Sequence, residues 1–204
     1  MRKFVVFEGI DGSGKSTVSS KVFERLREKR IDAILTHEPF NENIKKCIED
    51  FLKRDADPVS IAMLFIADRI EHSEMIKEWL DQDKIVICDR YEDSTYAYQG
   101  AQLEGRMEDP IEFLKKLSPK DIIHPDRIFI LDLDPDTALS RLSGNRDFEG
   151  FEKKSFLQKV RKNYLRLAKD GRYKVIDARK DVEEIVEICL KDILGDKNED
   201  RDRL

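Results

Sequence analysis

The chain predicts an α/β fold of three layers, a five-stranded parallel sheet covered by helices on both faces, with a mobile lid. Three observations carry that expectation. Short β-branched and aromatic runs alternate with segments whose apolar residues recur every three or four positions. The strand-like runs are continuously apolar, as strands buried on both faces are. And the first strand meets the first helix through a glycine-rich turn, Gly9 to Gly14.

The first strand is Lys3-Phe4-Val5-Val6-Phe7-Glu8. Val18, Val22 and Leu26 follow as one helical face. Between them, Gly9-Ile10-Asp11-Gly12-Ser13-Gly14-Lys15-Ser16 fits the phosphate-loop pattern in the strand-to-helix setting that pattern requires. Glycine permits the tight turn. Backbone N–H groups and the helix N-terminus then face an anion. Lys15 is expected on the β and γ phosphates, and the Ser16 hydroxyl on Mg²⁺. The expected architecture is therefore a P-loop NTPase fold.

The second strand is Ala33-Ile34-Leu35-Thr36, stopped at Pro39. Ile44, Cys47, Ile48, Phe51 and Leu52 mark an amphipathic helix. Pro58 opens a longer helix to about Leu80, with Val59, Ala62, Ile66 and Ile70 as its expected core stripe. Ile85-Val86-Ile87-Cys88 is the third strand, and residues 92–104 and 110–117 read as helical. Ile128-Phe129-Ile130-Leu131 is the fourth strand, followed by a helix to Leu142. Ser143 to Gly150 is polar and glycine-punctuated, the core of a lid set at 143–152. Leu157, Val160, Tyr164 and Leu167 mark the next helix, and Lys174-Val175-Ile176 the fifth strand. The last helix carries Val182, Ile185, Val186, Cys189 and Ile193, with Asp181 and Glu184 as an expected capping box and Gly195 as its stop. One domain is expected over 1–195, with a charged tail over 196–204.

Composition excludes several roles. A net charge of −5 with both signs interspersed gives no nucleic-acid surface. No apolar run approaches the ~20 residues of a membrane span. No signal peptide is expected from the opening Met1-Arg2-Lys3, and three scattered cysteines read as buried thiols in a reducing compartment. The expected location is the cytoplasm.

Ligands of such sheets bind beyond the carboxyl ends of the strands, where Asp11, His37-Glu38 and Asp89-Arg90 all fall. Asp89 follows its strand as a Walker-B carboxylate does, able to hold water on Mg²⁺. Arg90 is a planar fork suited to a second phosphate. Phe65 and Arg69, four apart, share a helix face. They read either as a core aromatic beside a surface arginine or as a base site; an arginine has only donors, so it favours a base carbonyl. Ser94 to Gly100 forms a polar and aromatic surface leading away from Arg90. Around the lid stand Arg141, Arg146 and Lys153-Lys154, able to bring charge to a transferring phosphoryl group.

Taken together, Phe7 through Thr17, Leu64 through Arg69, Asp89-Arg90-Tyr91, Ser94 through Gly100, Phe151-Glu152, Val160-Arg161 and Tyr164-Leu165 resemble the thymidylate (dTMP) kinases, in order over nearly the whole chain. The resemblance implies transfer of the γ-phosphate of Mg-ATP to dTMP, giving dTDP and ADP, usually by a homodimer. It implies that Gly9, Ile10, Asp11, Gly12, Ser13, Gly14, Lys15, Ser16 and Thr17 bind ATP, with Arg141 beside it and Ala178 at the adenine. Asp11 would also face the deoxyribose 3′-hydroxyl. Phe65 would stack on thymine, Arg69 donate to its O4, and Arg90 take the dTMP phosphate. Ser94 and Gln99 would lie near that phosphate and the base, and Tyr98 against the sugar. Lys15, Asp11, Arg90 and Arg146 are the implied catalytic set, Ser16 and Asp89 the implied metal set.

Three departures stand out. The family's arginine-glutamate-proline after strand two is here His37-Glu38-Pro39. Some members carry an arginine in the phosphate loop where this chain has Gly12, and the lid reads Glu149-Gly150-Phe151-Glu152. Another deoxynucleotide or deoxynucleoside kinase of the same fold is the nearest alternative, with Glu38 or Asp89 as a base. A GTPase switch would need an asparagine-lysine-x-aspartate signature, and the chain has none.

Overall fold

The computed structural model describes residues 2–142 and 150–195, with only the backbone at 150–152. Five parallel strands, β1 (Lys3–Glu8), β2 (Ala33–His37), β3 (Ile85–Asp89), β4 (Arg127–Asp132) and β5 (Tyr173–Asp177), form one sheet in the order β2-β3-β1-β4-β5. The helices are α1 (Lys15–Glu28), α2 (Glu42–Lys53), α3 (Pro58–Asp81), α4 (Glu92–Gln102), α5 (Pro110–Leu117), α6 (Pro135–Leu142), α7 (Gly150–Leu167) and α8 (Val182–Leu194).

The layering follows from crossover handedness. With right-handed connections, the step from β1 out to β2 puts α1 on one face. The returning steps put α3, α4 and α7 on the other. The packing agrees: α1 lies against α8, while α3 and α7 both lie against α4. Phe4, Val5, Val6 and Phe7 of the central strand are wholly buried, and Phe7 meets Phe129 of β4 at 5.2 Å between ring centroids. The carboxyl ends of β1, β2 and β3 come level, since Phe7 pairs with Asp89 and His37 pairs with Asp89. That shared edge positions the site.

Four expectations are corrected. Ile70 is exposed, and the buried stripe of α3 runs through Ala62, Ile66, Arg69, Ser73, Ile76 and Leu80. An apolar pattern cannot find Arg69 there, because a partner from another segment neutralises it. Cys47 is exposed; α2 packs mainly on α3 and buries only Ile48 fully. Cys88 and Cys189 are buried, as expected. Asp181 caps α8 by accepting from the Glu183 N–H at 2.8 Å, but Glu184 pairs with Lys180 instead of closing a capping box. Finally, α7 begins at Gly150, so the carboxyl end of the expected lid is helical. Residues 143–149, with Arg146, and the tail 196–204 lie outside the described residues.

Candidate active site

The loop after β1 is closed by the Ser13 N–H donating to the Ile10 carbonyl at 3.1 Å. Gly9 and Gly12 have φ of 143° and 83°. A Cβ on Gly12 would stand 2.5 Å from the Ala138 carbonyl oxygen, and one on Gly9 2.6 Å from that of Leu131. The loop is thus wedged against β4 and α6 in a way only glycine allows. Gly14 caps α1, and the N–H groups of Lys15, Ser16 and Thr17 open its first turn with no carbonyl four residues behind them in the helix. Lys15 Nζ folds over the loop onto the Ile10 carbonyl at 2.9 Å. Burial, aided by the nearby Arg90 charge, pulls the Lys15 ammonium down to about 8.

The Ser16 hydroxyl donates to Asp89 Oδ2, and Asp89 Oδ1 is buried without a partner. A hydroxyl beside a half-used carboxylate is the donor set a hard divalent cation takes at a phosphate loop, with phosphate oxygens and water completing it. Among the described residues no group of three histidine, cysteine or acidic side chains could hold a metal. A site of this kind needs none. Arg141 bridges the Gly12 carbonyl, at 3.4 Å, and the Ala178 carbonyl, at 3.0 Å. It ties the loop to the turn after β5, where adenine is expected.

Next to the loop opens a cavity of about 370 Å³. All seven residues expected around dTMP line it: Asp11, Phe65, Arg69, Arg90, Ser94, Tyr98 and Gln99. Arg90 sits where loop and cavity meet. Its backbone is left-handed, φ 71°, with its N–H on the Phe7 carbonyl at 3.0 Å. Its guanidinium reaches Asp11 on the loop and the Ser94 hydroxyl, at 3.2 Å, on α4. The Tyr98 hydroxyl accepts from the Asp11 N–H at 3.0 Å. Burial works against the Arg90 charge, but Tyr98, Tyr164, Asp11 and Glu8 around it outweigh that, so its pKa stays above the ordinary guanidinium value. His37 is exposed and does not line the cavity.

Arg69 is not a surface arginine. Only 1% of it is exposed, and Glu38 Oε2 accepts from its Nε at 3.0 Å and its Nη2 at 2.7 Å. Its Nη1 is buried and unpaired. Glu38 is held besides by His72, and Thr95 accepts from Arg69 at 3.1 Å.

Glu8 belongs to none of the site residues expected from the sequence, yet it joins the parts. Wholly buried one residue before the loop, it accepts from the N–H groups of Tyr91, at 2.8 Å, and Ser94, at 3.2 Å. Tyr91, the N-cap of α4, supplies no side-chain cap, so Glu8 caps that helix from a distance. Its other oxygen takes the Ser94 hydroxyl at 2.7 Å and the Tyr164 hydroxyl at 2.9 Å. Burial raises its pKa against the opposing pull of the Ser94 hydrogen bond and Arg90. Its one signal in the sequence is a lone carboxylate ending an apolar strand.

Another cavity, about 630 Å³, lies on the other side of α4. Along its lining Arg172 pairs with Asp170, Arg166 with Asp109, Lys115 with Glu112 and His124 with Glu92.

A phosphate loop at the head of a sheet in this order, facing a second cavity with an arginine where the two meet, defines a P-loop nucleotide kinase. The thymidylate kinase family model matches residues 7–188. A probable thymidylate kinase of Methanosarcina mazei is 39% identical over 196 residues, 94% of this chain and 95% of its own. One from Methanocaldococcus jannaschii is 44% identical over 185 residues, 89% and 90% of the two chains. One from Sulfolobus acidocaldarius is 42% identical over 190 residues, 90% and 92%. The chain belongs to the thymidylate kinase family.

Proposed function

We propose that this protein transfers the γ-phosphate of ATP to dTMP, with the donor on the loop and the acceptor in the 370 Å³ cavity. The activity comes with the family. The observation that supports the division of the site is that the seven expected acceptor residues share one cavity, joined to the loop by the Arg90–Asp11 pair.

The acceptor phosphate brings its own nucleophilic oxygen, so catalysis reduces to positioning and charge neutralisation. Lys15 and the loop N–H groups hold the donor phosphates, and Arg90 releases Asp11 to grip the acceptor phosphate. Asp11 then faces the 3′-hydroxyl. Phe65 stacks on the base, Arg69 Nη1 donates to its carbonyl, and Tyr98 packs on the sugar. Ser16 and Asp89 would hold Mg²⁺, which when bound neutralises charge on the donor phosphates. Arg141 and Ala178 border the adenine, and Arg146, outside the described residues, would bring positive charge to the transferring phosphoryl group. Exposed Met63 and Ile70, seven apart on α3, suit a homodimer contact. The cytoplasm suits the unpaired buried thiols Cys88 and Cys189.

The deoxynucleoside kinase alternative needs an available carboxylate base. Glu38 is engaged by Arg69 and His72, and Asp89, with one oxygen on Ser16, does not line the acceptor cavity. The test is a panel of ATP and Mg²⁺ with dTMP, dUMP, dCMP, dGMP, dAMP and thymidine, read by ADP release. dTMP should lead. Turnover of thymidine and none of dTMP would overturn the reading.

A further inference from the structure

Arg69 does not aim itself. Its fork is the last member of a buried chain that begins at Thr36 on β2. Thr36 Oγ1 lies 2.9 Å from His72 Nε2, and His72 Nδ1 lies 3.2 Å from Glu38 Oε1. Glu38 Oε2 then takes both Nε and Nη2 of Arg69, at 3.0 and 2.7 Å. Glu38 accepts from the Arg69 fork through Oε2 and offers Oε1 to the ring, so His72 Nδ1 is the donor of that contact. The ring is held in place: it is fully buried and stacks on Phe40 with centroids 4.4 Å apart and planes within 9°. Phe40 is fixed in turn, because Asp68 accepts from the Phe40 and Asn41 N–H groups, each at 2.7 Å. Three residues of α3, Asp68, Arg69 and His72, thus clamp the corner that carries Glu38.

The geometry has one consequence for recognition. A guanidinium is a rigid fork, and Glu38 takes one whole edge of it. What is left of the fork is Nη1, buried and unpaired, on a residue that lines the cavity. Were Glu38 able to turn about its last torsion, the fork would turn with it and the donor would lose its direction.

We infer that His72 is a positioning residue for base selection, acting through Glu38 to aim Arg69 Nη1 at a carbonyl oxygen of the acceptor base. The inference rests on the reading of Arg69 as the base donor. It assigns to His72 the preference for a pyrimidine with a carbonyl over one with an amino group at the same ring position.

The measurement is the ratio of kcat/KM for dTMP to that for dCMP. His72→Phe keeps the stacked ring but removes the donor to Glu38; the ratio should fall about tenfold while the KM for ATP stays within about twofold. In His72→Asn the amide nitrogen replaces Nδ1, and most of the ratio should return. A folded His72→Phe with an unchanged ratio, beside an Arg69→Lys variant whose ratio collapses, would make His72 mere packing and overturn the inference. An unchanged ratio in Arg69→Lys would instead overturn the base reading itself. Should His72→Phe not fold, Thr36→Val decides: the ratio should fall about threefold, and an unchanged ratio overturns the inference.

Discussion

The proposed donor loop and the proposed acceptor cavity meet at Arg90, but they are built differently. The loop is backbone: nine consecutive residues, shaped by glycines, two of which, Gly9 and Gly12, have neighbours that leave no room for a Cβ. The cavity is side chains, drawn from the ends of β1, β2 and β3 and from α2, α3, α4 and α7. A backbone site needs only a shape, and a short contiguous run specifies it. A side-chain site needs a second tier of buried groups to aim the first, and here that tier is carboxylate: Glu8 behind Ser94 and Arg90, Glu38 behind Arg69.

If the loop is a matter of shape, its glycines should fail unequally. Gly12→Ala puts a methyl 2.5 Å from the Ala138 carbonyl at φ 83°, so ATP binding by calorimetry should be lost together with turnover. Gly14 has φ 94° but nothing within 4 Å of a new Cβ. Gly14→Ala should cost only about 1–2 kcal/mol of conformational strain and keep measurable activity. Equal behaviour of the two would break the account of the loop. Lys15→Ala should also abolish turnover, and Arg90→Ala should mainly raise the KM for dTMP.

On the cavity side the corresponding test removes a hidden carboxylate. Glu8→Gln keeps the volume but turns one of two acceptor oxygens into a donor, with Ser94 and Tyr164 hydroxyls facing it. A loss of about 2–4 kcal/mol in urea unfolding is expected, with a raised KM for dTMP and a nearly unchanged KM for ATP. A variant within about 0.5 kcal/mol of wild type would remove Glu8 from its post.

The same contrast explains how much of the molecule is legible in its amino-acid sequence. The order of elements, the parallel sheet and the loop are legible, because periodicity and a contiguous motif encode them. The seven cavity residues are legible through the family likeness, and Phe65 with Arg69 also through their spacing. The supports are not. Arg69 breaks the apolar stripe of α3 and is buried all the same, and Ile70, the better apolar match, faces out. The cause is Glu38, thirty-one residues away, whose charge offsets the cost of burying the guanidinium. Hydropathy along one helix carries no record of a partner on another segment.

The loop also has an electrostatic signature the cavity lacks. Held down to about 8 by burial, Lys15 is partly neutral near pH 8.5 in the ligand-free protein. In the unfolded chain its pKa is about 10.4, so its contribution to stability rises with pH between these values. Donor phosphates restore the charge. ATP binding at pH 8.5 should therefore take up about half a proton or more, read from the slope of calorimetric enthalpy against buffer ionisation enthalpy. A slope of zero would mean that Lys15 is already charged in the empty loop.

The smallest effect probes the far side of α4, where no function is expected. His124 shares a hydrogen bond with Glu92 at 3.0 Å, which raises its pKa. The added stability is present below the unfolded value of about 6.5 and is lost as pH rises through the higher folded value. With 49% of the His124 side chain exposed, solvent screening holds the gain under about 0.5 kcal/mol. His124→Ala should therefore unfold slightly earlier than wild type at pH 5.5 and together with it at pH 8.5. Its kcat/KM for dTMP should match wild type at both, because Arg90, Ser94 and Tyr98 project from the other face of that segment into the cavity. A change in dTMP capture that followed His124 would show that α4 transmits strain from one face to the other, and the acceptor site would then be larger than the cavity that holds it.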